Sequence, residues 1–249
     1  MLKIPKIATP TYTLELPSNG KKITYRPFLV KEEKILLMAL ESNVESEMTE
    51  AVKEVISNCI TTKSIDIDSM PTFDIDFIFL QIRSRSVGEK AELEFRIQNC
   101  PNNNGKPCKK TIPIVINLNE IKVQKIKGHT NKVPITDTVG LIMKYPSFNT
   151  MKNIDINTVN GKIEMIANSI ESMWDGEDVI NVDSLKKEEI SEFLMNLTQE
   201  QFSKITEFFN TMPKLQHTIE IECKECGKKI TKVLEGIEDF FGSGSATIT

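Results

Sequence analysis

The chain has 249 residues, 39% hydrophobic and 27% charged, with 31 Lys and Arg against 35 Asp and Glu. A formal charge of −4 argues against a general polyanion-binding surface, because nucleic-acid affinity rests on cationic groups that displace counterions. The two histidines, His129 and His217, exclude a three-His metal site. No run reaches the roughly 18 to 20 apolar residues of a membrane span, and Met1–Pro10 lacks a signal peptide's apolar segment, so cytosol is the expected address.

Thr11–Leu16 alternates Tyr12, Leu14 and Leu16 with Thr11, Thr13 and Glu15, and extended character resumes at Lys22–Pro27 after Pro17-Ser18-Asn19-Gly20. An Asn-Gly step between two such segments predicts a β-hairpin, since both residues tolerate positive φ. The charged Lys31–Lys34 then leads into Ile35, Leu36, Met38, Ala39 and Leu40. Met48, Val52, Val55 and Cys59 follow at helical spacing, which makes Cys59 a buried core thiol. Thr72–Arg85 fits both periods, since Phe73, Ile75, Phe77 and Phe79 alternate while Phe73, Phe77 and Leu80 share a helical face; helix is the expectation.

Glu89–Gln98 turns Ala91, Leu93, Phe95 and Ile97 to one side, and Lys110–Leu118 places Ile112, Ile114, Ile116 and Leu118 in phase. They form a second hairpin across the turn-rich 101–107 segment. Ile121–Tyr145, with β-branched alternation and Pro134, is expected to continue this sheet or run along its edge. From Tyr145-Pro146 the pattern turns helical: Val159, Ile163, Ile166, Ile170 and Met173 step by four and three, with Trp174 closing the stripe as a core or rim aromatic. Ile190, Phe193, Leu194 and Leu197 follow, and Thr198-Gln199-Glu200-Gln201 is a capping box for a helix carrying Phe202, Ile205, Phe208 and Phe209. A third hairpin spans His217–Glu222 and Lys228–Leu234, and residues 242–249 read as a flexible Gly-Ser tail.

Four of the five cysteines sit at hairpin tips. Cys223-Lys224-Glu225-Cys226-Gly227 has the form of a zinc knuckle, whose turn aims two thiolates while the Gly lets an amide approach a sulfur. Cys100 and Cys108 bracket the central turn at a looser spacing. The four together predict a closed four-thiolate site for structural Zn2+, which leaves no position for a water nucleophile. The alternatives are two local disulfides, opposed by a reducing cytosol, and a redox Cys-x-x-Cys, opposed by its hairpin context. His217 lies six residues before Cys223, about 20 Å away along a strand, and is not a ligand.

No phosphate loop, nucleophile elbow or His-Glu-x-x-His appears, and no catalytic residue is assigned. The pairs Asp66/Asp68, Asp74/Asp76 and Glu188/Glu189 read as solvated faces or helix caps. Arg83 and Arg85 suit either a carboxylate contact or the C-terminal end of a helix.

Several strings go further: TYTLELPSNG at Thr11–Gly20, YRPFLVKEEK at Tyr25–Lys34, FDID at Phe73–Asp76, FLQIR at Phe79–Arg83 and SVGE at Ser86–Glu89. MKYP at Met143–Pro146, FFNTMPKL at Phe208–Leu215, the Cys-x-x-Cys-Gly hairpin and Asp239-Phe240-Phe241 complete the order. Together they resemble the baseplate hub and hub-assembly proteins of T4-like contractile-tailed bacteriophages. The resemblance implies a non-catalytic protein of tail morphogenesis that binds hub, tail or tape-measure components in the host bacterial cytoplasm. A stoichiometric subunit of the finished baseplate is the alternative, a zinc-ribbon nucleic-acid binder the less favoured one, and self-association is compatible with either phage role.

The fold class expected is α+β, with three hairpins and a helical portion. It forms one domain over residues 1–241, or else a hairpin-helix-sheet part at 1–145 and a helical part with the zinc hairpin at 146–241. Aromatic and Arg side chains dominate interface hot spots, which makes Tyr25, Arg26, Lys31, Arg83, Arg85, Phe208 and Phe209 the candidate partner contacts. The competing reading puts Phe28, Phe208 and Phe209 in the core. Arg26→Ala with Lys31→Glu is expected to leave folding intact and weaken assembly.

Overall fold

The computed structural model describes residues 7–42, 44–97, 111–151, 154–237 and 246–248. Strands β1 (Tyr12–Glu15) and β2 (Lys22–Tyr25) pair antiparallel, Tyr12 opposite Tyr25 and Leu14 opposite Ile23. Gly20 takes the left-handed φ of +72° that closes the turn, its N–H donating to Leu16 O at 2.8 Å. Helices α1 (Val30–Ser42) and α2 (Glu45–Cys59) follow, and the stripe on α2 buries Val52, Val55 and Cys59 as its spacing demands.

Helix α3 (Thr72–Ser86) resolves the ambiguous segment. It buries Phe73, Ile75, Ile78, Phe79, Leu80 and Ile82, and a helix apolar on most sides is enclosed on most sides. The same wide distribution explains why its sequence mimics a strand. Asp74, fully buried in its first turn, accepts the Ser18 N–H at 3.0 Å and the Ser18 hydroxyl, tying the first hairpin's turn to this helix.

Strands β3 (Lys90–Ile97) and β4 (Ile112–Asn117) form the central hairpin, with Ala91, Leu93 and Phe95 opposite Ile116, Ile114 and Ile112. After a 3-10 turn at Leu118–Glu120 come β5 (Lys122–Gln124), β6 (Lys132–Pro134) and β7 (Val139–Met143). These do not continue the central sheet. Instead β5 joins the third hairpin, while β6 and β7 enter a separate four-stranded sheet, because the segment 125–131 between β5 and β6 is long enough to release β6 from the register of β5.

Helices α4 (Phe148–Met151) and α5 (Val159–Asn168) precede β8 (Ile170–Asp175) and β9 (Asp178–Asn181). The helical stripe expected to run through Ile170 and Met173 therefore stops at Asn168. Ser169, fully buried, donates its hydroxyl to Met165 O at 2.8 Å and accepts the Lys144 N–H at 2.8 Å on its carbonyl, converting the helix end into a strand start. Ile170 and Met173 are buried on that strand, so burial survives the change of period.

Helix α6 (Lys187–Met195) and helix α7 (Gln199–Thr211) complete the helical portion. The α7 capping box forms, with Gln201 N–H donating to Thr198 Oγ1 at 3.3 Å and Thr198 N–H to Gln201 Oε1 at 2.9 Å. Strands β10 (Lys214–Glu222) and β11 (Lys229–Glu235) make the third hairpin, and β12 (Ala246–Ile248), within the tail read as flexible, lies parallel to β3.

The chain divides into two compact units. The first joins Met1–Ile65, Phe73–Val123 and Lys214–Thr249, and there Leu80, Leu93, Phe95, Ile116, Leu118, Leu215, Ile221 and Leu234 pack into one core. The second joins Asp66–Thr72 and Gln124–Pro213, with Leu141, Met143, Ile170, Leu194, Ile205 and Phe208 at its centre. The sheet of the second unit runs β6-β7-β8-β9.

Candidate functional site

Tyr25 ends β2, and Pro27 stops extended pairing before α1, so Arg26 is delivered to the strand-to-helix junction. Its guanidinium donates to Glu32 Oε1 at 2.9 Å and to Pro27 O at 2.9 Å, and lies 3.7 Å from Cys59 Sγ. The Arg26 side chain is 16% exposed and that of Glu32 0%. Burial alone would raise the Glu32 carboxyl, but hydrogen bonds from Arg26, the Leu29 N–H and Lys31, with the Arg26 charge, outweigh it and hold the group at about 2. Burial pushes the Cys59 thiol up to about 11, the value of an inert core thiol.

Arg26 is therefore a structural counter-charge inside the first unit, and its removal is expected to lower stability. The buried pair argues against the intact folding expected for Arg26→Ala with Lys31→Glu, because a buried carboxylate cannot lose its partner without cost. Lys31 is exposed, with Nζ 3.3 Å from Glu32 Oε1. Tyr25 is buried, its ring 5.8 Å from that of Tyr12. Burial raises its hydroxyl against an opposing Arg85 hydrogen bond. Arg85 is exposed, pairs with Glu89 at 3.1 Å and lies 5.0 Å over the Tyr12 ring. Arg83 is half-buried, with burial lowering its basicity. Of the basic candidates, Lys31 and Arg85 face solvent.

In the second unit Phe208 is core and Phe209 packs edge-on against it, ring centroids 5.1 Å apart. The competing core reading thus describes Phe208. Around it lies a chain of polar contacts whose members are too far apart in sequence to suggest one another. His129 Nδ1 is 3.0 Å from Thr211 Oγ1, and Nε2 is 3.1 Å from the Tyr145 hydroxyl. Thr211 Oγ1 donates to Glu207 O at 2.7 Å, so it accepts from Nδ1–H, and Tyr145 donates to Nε2. The neutral imidazole satisfies every partner, and burial lowers its pKa. Beside it opens a cleft of about 710 Å³ lined by Ser69, Thr130, Lys144, Ser147, Asn149 and Glu171 among others.

The Cys223-Cys226 turn stands at the tip of β10-β11. Cys223 N–H donates to Lys228 O at 2.9 Å, and Gly227 N–H to Cys223 O at 2.8 Å with Gly227 at φ +72°. Cys223 is buried and Cys226 half-buried, both against the core that also holds Leu93, Phe95 and Ile112 from the central hairpin. Cys100 and Cys108 lie outside the described residues, among which no three His, Cys, Asp or Glu gather as a metal site.

Sequence reading also missed an apolar solvent face. Val30 (80% exposed), Leu37 (53%) and Met38 (59%) stand on α1, away from buried Leu36 and Ala39. A helical wheel drawn from the buried pair would have exposed it. No helix among the described residues is long and apolar enough to cross a membrane.

Comparison with known proteins places these features in a family. No solved structure matches the chain. The baseplate hub assembly protein gp26 of Enterobacteria phage T4 is 24% identical over 233 residues, covering 92% of this chain and 97% of that protein. The family model described as T4 bacteriophage base plate protein matches residues 9–242. An end-to-end match of this kind spans both units and every hairpin described above, and the chain belongs to the T4 bacteriophage base plate protein family.

Proposed function

We propose that the chain is a non-enzymatic assembly protein of a phage baseplate hub, acting by contact with other hub or tail components, the tape-measure protein among the candidates, in the host cytoplasm. The observation that carries this reading is the alignment along 97% of a protein named for baseplate hub assembly. The exposed Val30, Leu37 and Met38 on α1 support it, since apolar residues left on a helix's solvent face suit a protein contact. The perturbed groups Glu32, Cys59 and Arg26 are engaged with one another in the interior, which suits a scaffold.

The family description itself favours a second reading, a stoichiometric subunit retained in the baseplate. Mass spectrometry of purified particles and infected-cell lysate separates the two. Abundance in lysate with absence from particles is expected for the assembly factor, while a constant copy number per particle would overturn it in favour of the subunit.

A structural Zn2+ held by Cys100, Cys108, Cys223 and Cys226 is part of the proposal. The described half suits a thiolate pair: a hairpin turn closed by a left-handed Gly, with Cys223 anchored in the core. When bound, the metal would contribute its binding free energy to folding. Elemental analysis of purified protein is expected to find one zinc per chain, removed by Cys223→Ser with a large drop in melting temperature. A metal-free protein with unchanged melting would remove the site.

A further inference from the structure

The second unit's sheet has two edges of different character. Edge strand β6 is Lys132-Val133-Pro134, with Lys132 and Pro134 exposed, the residue types that block edge pairing. Edge strand β9, Asp178-Val179-Ile180-Asn181, carries neither guard, and all four residues are exposed, Val179 at 68% and Ile180 at 41%.

The hairpin register says which backbone groups face outward. Asp175 lies opposite Asp178 across the two-residue turn Gly176-Glu177, where Gly176 supplies a φ of +61°. In an antiparallel pair closed this way Asp175 and Asp178 exchange backbone hydrogen bonds, so the next pair, Trp174 and Val179, does not. The Val179 N–H and C=O therefore point away from β8. On the core side of the sheet Leu141, Met173 and Ile180 form a row that grows more exposed toward the edge, at 0%, 9% and 41%.

We propose that the outer edge of β9 is a strand-addition site for an extended, Lys- or Arg-bearing segment of another protein. A residue of that segment beside Ile180 would be apolar, extending the core row. Its basic residues would face the turn, because Ile170–Leu185 holds five carboxylates, at 171, 175, 177, 178 and 183, and no Lys or Arg. The same charge argues against a second copy, which would bring its own acidic turn and strand to the contact. This inference is independent of whether the chain stays in the finished particle.

The test uses a fluorescein-labelled Lys-Val-Lys-Val-Lys-Val peptide against the full chain, read by anisotropy at low and high salt. Val179→Pro removes an outward N–H and leaves the β8 ladder untouched, a substitution that edge strands accept. Saturable, salt-sensitive binding is expected, weakened several-fold by Val179→Pro, the scale of one lost backbone hydrogen bond, with no binding of a Glu-Val-Glu-Val-Glu-Val control. Should Val179→Pro fail to fold, Glu177→Lys with Asp178→Lys, which leaves three carboxylates against two lysines in that segment, is expected to weaken binding of the Lys peptide and to narrow its preference over the Glu control. No binding to the unaltered chain, or equal binding to a folded Val179→Pro variant, would overturn the site. A concentration-dependent dimer abolished by Val179→Pro would overturn the assigned occupant in favour of a second copy.

Discussion

Arg26 and Glu32 are joined at 2.9 Å with the carboxylate at 0% exposure, six residues apart across the junction of β2 and α1. This pair sets the direction of the chain as it leaves the first hairpin, and the Leu29 N–H on the same carboxylate fixes the start of the helix. Arg26→Ala would strand a buried charge. A loss of about 3–5 kcal/mol is expected, read as a lower midpoint in urea denaturation. Lys31→Glu, at a side chain 69% exposed, should shift stability far less. Equal midpoints for Arg26→Ala and the unaltered protein would remove the pair from the account of the fold.

The same carboxylate sets an acid limit. Its pKa is held at about 2 in the fold against an ordinary value of 4.5, so the unfolded chain binds the extra proton first. Stability from this group is complete above about pH 4.5 and is lost as pH falls toward 2. Glu32→Gln is expected to flatten that part of the stability profile while lowering stability near neutrality. An unchanged acid limb in the variant would assign the loss to other carboxylates.

Trp174 lies across Gly140, its partner in the β7-β8 register, and a Cβ at 140 would overlap the indole ring. Gly140→Ala is expected to cost about 1–3 kcal/mol, the range for overpacking a close contact. Trp174→Leu combined with Gly140→Ala should recover part of the loss. The chain has one Trp, so its fluorescence reports the displacement in Gly140→Ala. Additive costs in the double variant would show that the two residues do not meet.

His129 is held neutral between Thr211 and Tyr145, with its pKa lowered by burial from 6.5. The unfolded chain therefore takes up the proton first. The contribution is present above about pH 6.5 and erodes as pH falls below it. His129→Gln is expected to remove this component of the pH dependence between neutrality and the carboxylate range. A profile identical to that of the unaltered chain would dismiss the role.

The three hairpins, the α7 capping box and the burial of Cys59 were legible in the residues because each rests on local spacing, and the family resemblance because its strings keep their order along the chain. Alternation at Ala91, Leu93 and Phe95 leaves one arrangement that buries them together, and Thr198 with Gln201 needs no distant partner. The end of α5 was not legible in that way. Ile166, Ile170 and Met173 keep helical spacing, yet Ser169 and its contact with Lys144 turn the chain into β8.

Tertiary structure alone decided where Arg26 points. Its charge suggested solvent and a partner, whereas the fold buries it beside Glu32 and Cys59, residues that no periodicity connects to it. It likewise decided that Ile121–Tyr145 divides between two sheets and that His129 meets Thr211, 82 residues away. Local sequence dictates period and capping because those interactions lie within one turn or one strand pair. The pairing of distant charges and the allocation of strands among sheets depend on which surfaces the whole chain can bury at once.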